Sequence, residues 1–398
     1  MPKKNLIALL MIYLVSTAAS FGVFSLIAKG AQAEPKSNQQ QINDDETLLG
    51  ALLDIDPNEA RDQACPLNGQ YYTLTEKNAW SSRRPLFVMI ENTPDARPQS
   101  GLSKADVVFE AVAEGGVTRF GALYYCAAQY QDVTLAPVRS ARSYFVDWAS
   151  GFNLPMYVHV GGANLDGPAD ALEQIGTYGW RGENDIDQFS VGYPTFVRNY
   201  NRIPGREIAT EHTMETTTEA LWAVAAERGW TNITPARIVN GRSVAAADWQ
   251  SAYQGWSFES ETPTLGTSQT ISYDFWSGYN EYSVVWTYDA ANDSYLRSNG
   301  GQDQTDLNND QQLKASTVIV LFTTEKGPID EKKHMLYGSV GQGKALIFKH
   351  GQEPAEANWS KPTREAELSF TNVRGQDIDL ARGQIWISVL ATGSEVSY

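Results

Sequence analysis

Between residues 91 and 162 the chain gathers polar and charged side chains into four short runs: ENTPDARPQSGL (91–102), FEAVAEGGVTRF (109–120), APVRSAR (136–142) and YVHVGG (157–162). From residue 105 to 313 the lysine-or-arginine positions are all Arg. A guanidinium holds a carboxylate or phosphate through two parallel hydrogen bonds, whereas a lysine is a mobile point charge. The chemistry these runs suggest is recognition of an anion, with Asn92, Arg97, Arg119, Arg139, Ser140, Arg142, His159 and His212 as candidate ligand-binding residues. Arg139 and Arg142 follow Pro137, which is placed to open a helix, and the free N–H groups of a first turn would strengthen an anion pocket. The same arginines would serve equally as internal partners of Glu110, Glu114 or Asp147.

Acid–base chemistry is the rival. Glu110 and Glu114 lie on one expected strand, where four residues of extended chain separate them by about 13 Å, beyond the roughly 5 to 9.5 Å that a glycosidase pair requires. Glu114 with His159 remains a candidate pairing for a cell-wall hydrolase, so Glu110, Glu114 and His159 are the catalytic candidates. Glu110 alternates within an apolar strand and needs a buried partner, for which Arg119 or Arg139 suffices. His159 ends an apolar strand and is equally readable as a satisfied core histidine, while His212 stands in a loop beside Glu211. Nucleophile-elbow, phosphate-loop and dinucleotide signatures are absent from the sequence. The DLNND run from Asp306 begins like a calcium loop, but Thr317 stands where a bidentate Glu is needed and the central Gly is missing, which favours a polar turn. No metal or cofactor is expected. Trp276, Tyr279, Tyr282 and Trp286 suit either sugar stacking or a strand core.

The elements that must position these residues follow an α/β pattern. Short apolar strands are expected at Pro85–Glu91, Asp106–Val112, Arg119–Ala127 and Met156–Val160, with helices from Pro137 and over Glu215–Arg228. After residue 240 the texture becomes β: an alternating stretch over Tyr273–Tyr288, then strands at Thr317–Phe322, Ala345–Lys349, Glu367–Thr371 and Gln384–Leu390. The expected fold class is an α/β or α+β N-terminal domain (63–235) followed by a β-rich C-terminal domain (250–395).

The N-terminus bears on where this body works. Lys3 and Lys4 precede an uncharged stretch from Asn5 to Ala28, about 24 residues and long enough to span a hydrocarbon core. Lysine-led flanks stay cytoplasmic, so the remainder is expected outside. Ala31-Gln32-Ala33 fits signal peptidase, leaving residues 1–33 as either a cleaved signal peptide or a retained membrane anchor, ahead of a polar linker over 34–62. In an oxidising compartment Cys65 and Cys126, the chain's two cysteines, read as a disulfide, with two buried thiols as the alternative. Removal of three lysines with the first 33 residues would take the net charge from −16 to −19, which excludes nucleic acid as a partner. The expected partners are the membrane, through the N-terminal segment, and a cell-wall glycan or another envelope protein.

The runs RPQSGLSKADVVFEAVAEGGVTRF, APVRSAR and YVHVGG closely resemble the YerB-like lipoprotein family, envelope proteins built around a domain of unknown function. GKALIFKHG, NWSKPT and GQIWISVL resemble that family's C-terminal domain. The resemblance spans roughly residues 83–392 and implies an exported, surface-anchored protein without an established activity. It puts Asn92, Arg97, Glu110, Glu114, Arg119, Arg139, Arg142 and His159 at characteristic positions. There are departures: an apolar segment replaces the family's lipid-modified cysteine, only His212 survives of a Pro-His-Asn run, and Gln304 stands where a His precedes an Asp.

Overall fold

Uninterrupted apolar runs bounded by turn residues form strands covered on both faces, and such strands make the centre of one mixed sheet of ten strands. In chain order they are β1 Leu86–Glu91, β2 Val107–Glu114, β3 Val117–Tyr124, β4 Met156–His159, β5 Asp185–Asp187, β6 Thr317–Thr323, β7 Gly341–Lys349, β8 Ala355–Lys361, β9 Ser369–Thr371 and β10 Ile385–Ala391. Their spatial order is β9-β8-β7-β6-β10-β2-β3-β1-β4-β5. The computed structural model describes residues 52–239, 241–261, 263–267 and 270–398, and these lie in a single compact unit.

The N-terminal half is mixed and the C-terminal half mainly β, yet the sheet does not stop between them. β10, IWISVLA, pairs in parallel with β6 on one side and with β2 on the other, setting Trp386 against Val108 and Ser388 against Glu110. A run that apolar cannot face water on either side, so it is drawn to the middle of the sheet. A second sheet of six strands packs around Val284–Asp289 and Ser294–Asn299. The alternating stretch expected from 273 to 288 is two strands there, Thr270–Tyr273 and Val284–Asp289, joined through a turn with Gly278 at φ +85°. Trp286 and Tyr282 are core residues.

Pro137 does not open a helix. The helix is α1, Ser143–Ser150, with Arg142 at the N-cap position but no side-chain cap bond; residues 138–141 run extended because neighbouring strand ends capture their backbone. Ala141 donates to Gly161 O (2.9 Å), and Val138 bridges Ile90. A second helix, α2, Ala171–Thr177, is capped by Asp170; a third, α3, Thr218–Glu227, is capped by Thr217.

Cys65 and Cys126 form a disulfide with Cα atoms 6.0 Å apart and 61 residues of separation, worth about 4 kcal/mol in the chain-entropy account. The docked part of the chain begins before residue 63: Leu52 donates to Tyr130 O, and Arg61 pairs with Thr73. The apolar stretch over residues 5–28 lies outside the described residues, among which no helix is long and apolar enough to cross a membrane.

Candidate functional site

β1, β4 and β5 run parallel, so their C-terminal ends share one edge, where Glu91, His159 and Asp187 sit. In such sheets clefts form beyond that edge. Here the extended segment Val138–Ala141 crosses it: Arg139 N–H donates to Met89 O (2.8 Å) and its carbonyl accepts Val160 N–H (3.0 Å). Arg139 is thereby wedged between β1 and β4 with its side chain turned outward.

It faces a cleft of about 640 Å³ whose lining includes Arg139, Ser140, Gly161, Asp187, Phe189 and Arg198. The floor is preorganised. Asp187 Oδ1 accepts the N–H groups of Gly161 (2.9 Å) and Phe189 (3.2 Å). Gly161 adopts φ +57°, and a Cβ there would sit 3.0 Å from the Phe189 ring, so glycine is favoured both by conformation and by the close approach. Phe189 itself is 76% exposed, an unusual placement for a large aromatic beside a polar cleft. Arg198 Nη1 donates to Thr210 O (2.7 Å) and Thr213 Oγ1 (3.3 Å) and forms no salt bridge among the described residues. Arg139 has one loose ion pair, 3.4 Å from Nε to Glu91 Oε1, and otherwise no hydrogen bond from its guanidinium among the described residues.

The other arginines of these runs are turned inward. Glu114 takes Arg119 Nη2 on one oxygen (2.7 Å) and Arg142 Nη2 and Nε on the other (2.5 and 3.1 Å). Burial pushes the Glu114 carboxyl up, but the Arg119 and Arg142 charges outweigh it and hold it down at about 2. Arg119 Nη1 also donates to Ser140 O (2.9 Å), bracing the cleft from behind. His212 Nδ1 meets Glu91 Oε2 at 2.9 Å, and that bond holds the imidazole above its ordinary value. For Glu91, burial is outweighed by His212 and Arg139, leaving it below the carboxylate range. His159 is fully buried, with Nδ1 2.7 Å from Gly161 O and Nε2 2.7 Å from Asp185 Oδ1. Burial disfavours its charge, yet Asp185 and Asp187 prevail and raise it. With both nitrogens engaged, His159 does not pair with Glu114.

A third group lies at the seam between the sheets. Glu110 and Arg297 are both 0% exposed, with Oε2 and Nη2 2.6 Å apart; the partner expected from Arg119 or Arg139 is instead this arginine from the second sheet. Asn92 Nδ2 donates to Thr118 Oγ1 (2.7 Å) and Asn299 Oδ1 (3.1 Å), and Arg97 Nε donates to Asn92 Oδ1 (3.1 Å). Asp306 is enclosed, accepting the N–H groups of Gly101, Ser103 and Asn308 at 2.8 to 3.0 Å. The Asn308 bond is that of a polar turn, and the other two tie that turn to the segment at Gly101–Ser103.

Of the residues singled out in the sequence, then, Arg139 and Ser140 line the cleft. Glu114, Arg119, Arg142, His159 and His212 form the wall behind it, and Asn92, Arg97 and Glu110 belong to the seam. Sequence reasoning missed Arg198, Asp187 and Phe189. In the run QFSVGYPTFVRNYNR (188–202) the aromatics Phe189, Tyr193, Phe196 and Tyr200 recur at a helix-like 4-3-4 spacing that Gly192 and Pro194 interrupt, and Tyr193 and Tyr200 are likewise exposed. That conflict between period and helix breakers was the available signal.

Comparison with known proteins places the chain. It is 26% identical over 338 residues to the Bacillus subtilis protein named "Putative lipoprotein YerB", covering 85% of this chain and 89% of that one. The crystal structure of the YerB protein from Bacillus subtilis superposes with a TM-score of 0.65 at 24% identity, over 84% of this chain and 100% of that chain, and so shares the fold. Residues 73–231 match the N-terminal domain, and residues 271–387 the C-terminal domain, of the protein family of unknown function DUF3048. With both domains present in order, the chain belongs to the YerB-like DUF3048 family.

Proposed function

We propose that this is an exported cell-envelope protein that binds a carboxylate-bearing cell-wall glycan in the cleft between Arg139 and Arg198. The observation that carries the reading is the state of those two arginines. In a chain of net charge −16, they line one cleft with most of their N–H groups uncommitted, beside the exposed ring of Phe189. A guanidinium supplies the bidentate donors a carboxylate needs. An aromatic face offers an apolar platform for the C–H face of a sugar ring. The envelope location is supported by the lysine-led apolar N-terminus, by a disulfide suited to an oxidising compartment, and by a relative whose name places it among lipoproteins. Residues 1–33 would hold the body at the outer membrane face, or release it if cleaved.

Hydrolysis is less well supported. A general acid must carry a proton at working pH; Glu114, held at about 2, has none to give, and Glu110 is sealed against Arg297.

The test is co-sedimentation of the purified full chain with insoluble peptidoglycan. Wild type should pellet, and the Arg139→Ala/Arg198→Ala double variant should lose retention about ten-fold or more at an unchanged melting temperature. Equal pelleting of the two proteins would sink the proposal. Soluble fragments released by wild type but not by Glu114→Gln would establish hydrolysis instead.

A further inference from the structure

The cleft at Arg139 does not end at Asp187. Asp187 and Leu172 are also walls of an adjoining cavity of about 360 Å³, lined in addition by Arg181, Asp185, Ser190, Arg228 and Trp230. Leu172, on α2, forms the ridge between the two. Arg228 stands just beyond α3, with its guanidinium carbon 4.8 Å from the Trp230 ring centroid.

Both groups are held in place. Trp230 Nε1 donates to Gly182 O (3.1 Å) and Arg228 Nη1 to Asp185 O (3.0 Å). Arg181 Nη2 donates only to Leu172 O (3.1 Å). Neither arginine forms a salt bridge among the described residues: of the two carboxylates within this lining, Asp185 is matched by His159 and Asp187 accepts the Gly161 and Phe189 N–H groups. The second cavity therefore repeats the chemistry of the first. Each has two arginines free of strong carboxylate pairing, one aromatic side chain (Phe189 or Trp230) and one serine (Ser140 or Ser190), with Asp187 common to both.

Two adjoining cavities that share these groups suit a ligand that itself repeats. Resting on the glycan-binding reading above, we infer that Arg181, Arg228 and Trp230 form a second subsite, so that the ligand is a glycan chain with carboxylates on successive disaccharide units, bound across both cavities. The second unit then binds intramolecularly, and affinity grows with chain length until both subsites are filled.

The experiment uses peptide-free peptidoglycan strands of two, four and eight sugars, in which every second sugar carries a free carboxylate, titrated calorimetrically into the full chain. Affinity should rise about ten-fold or more from two to four sugars and change little from four to eight. Arg181→Ala and Trp230→Leu, made separately, should each erase most of that gain while leaving the disaccharide affinity at the wild-type value, with the melting temperature unchanged for Arg181→Ala and lowered for Trp230→Leu by the lost core packing. Equal affinity for two and four sugars overturns the second subsite but leaves the Arg139 cleft standing. A variant that weakens both lengths equally overturns it as well. Absence of binding at every length overturns both readings.

Discussion

Truncating a buried arginine removes charge-assisted hydrogen bonds on which its carboxylate relies. Arg142, itself 7% exposed, puts two nitrogens on one oxygen of the partly buried Glu114, whose other oxygen keeps Arg119, while Arg139, three residues earlier and 27% exposed, has only the 3.4 Å approach to Glu91. Their substitutions should therefore separate. In urea unfolding Arg142→Ala is expected to cost about 3 kcal/mol and Arg139→Ala less than about 1 kcal/mol. Similar costs for both would remove the distinction between a strut and a ligand-facing arginine. Both residues occur in APVRSAR with the same flanking texture, so their roles were not legible in the sequence. The direction of each side chain is set by which carboxylate folding brings within reach.

At the level of elements, the telling contact joins a strand of the main sheet to one of the second sheet. Glu110 on β2 meets Arg297 on Ser294–Asn299, and the Arg297 guanidinium also lies 4.4 Å from the Trp386 ring centroid on β10. A buried charge without its partner costs several kcal/mol, whereas replacing both partners by uncharged groups of similar volume is often neutral. Arg297→Met alone is expected to lose about 3 to 5 kcal/mol, and adding Glu110→Gln should recover most of the loss in a double-mutant cycle by chemical denaturation. If the double variant is as unstable as the sum of the singles, the pair is not coupled. The strands themselves were legible: LFVMIE, VVFEAVAE and TVIVLFT announce burial by composition. The partner of Glu110 was not, since Arg297 is 187 residues away and nothing local marks it.

The whole molecule should show these ion pairs in its pH dependence. Glu114, at about 2 in the folded chain against an ordinary 4.5, contributes stability that is present above about pH 4.5 and lost as pH falls through about 2. Relative to Glu114→Gln, wild type should be more stable by roughly 3 kcal/mol at neutral pH, a difference that shrinks toward zero between pH 4.5 and 2. His159 and His212 act in the opposite sense. Their folded values are raised above 6.5, so their contribution is complete below that pH and fades as pH rises through the folded values. Denaturation midpoints of wild type, Glu114→Gln and His159→Asn across pH 2 to 9 measure both limbs. A pH-independent gap between wild type and Glu114→Gln would refute the assignment.

The sequence by itself determined the apolar strands, the mixed N-terminal and β-rich C-terminal textures, the family and the set of arginines available for anion recognition. These depend on side-chain type and short-range period, which survive without coordinates. Only the tertiary structure decided that β10 closes one sheet across both halves, that Arg139 lines the cleft while Arg119 and Arg142 are consumed by Glu114, and that Phe189 and Arg198 join the same cleft. Pairing of charges and opening of a cleft depend on contacts between distant segments, and no local pattern encodes which of several equivalent partners arrives first within hydrogen-bond reach.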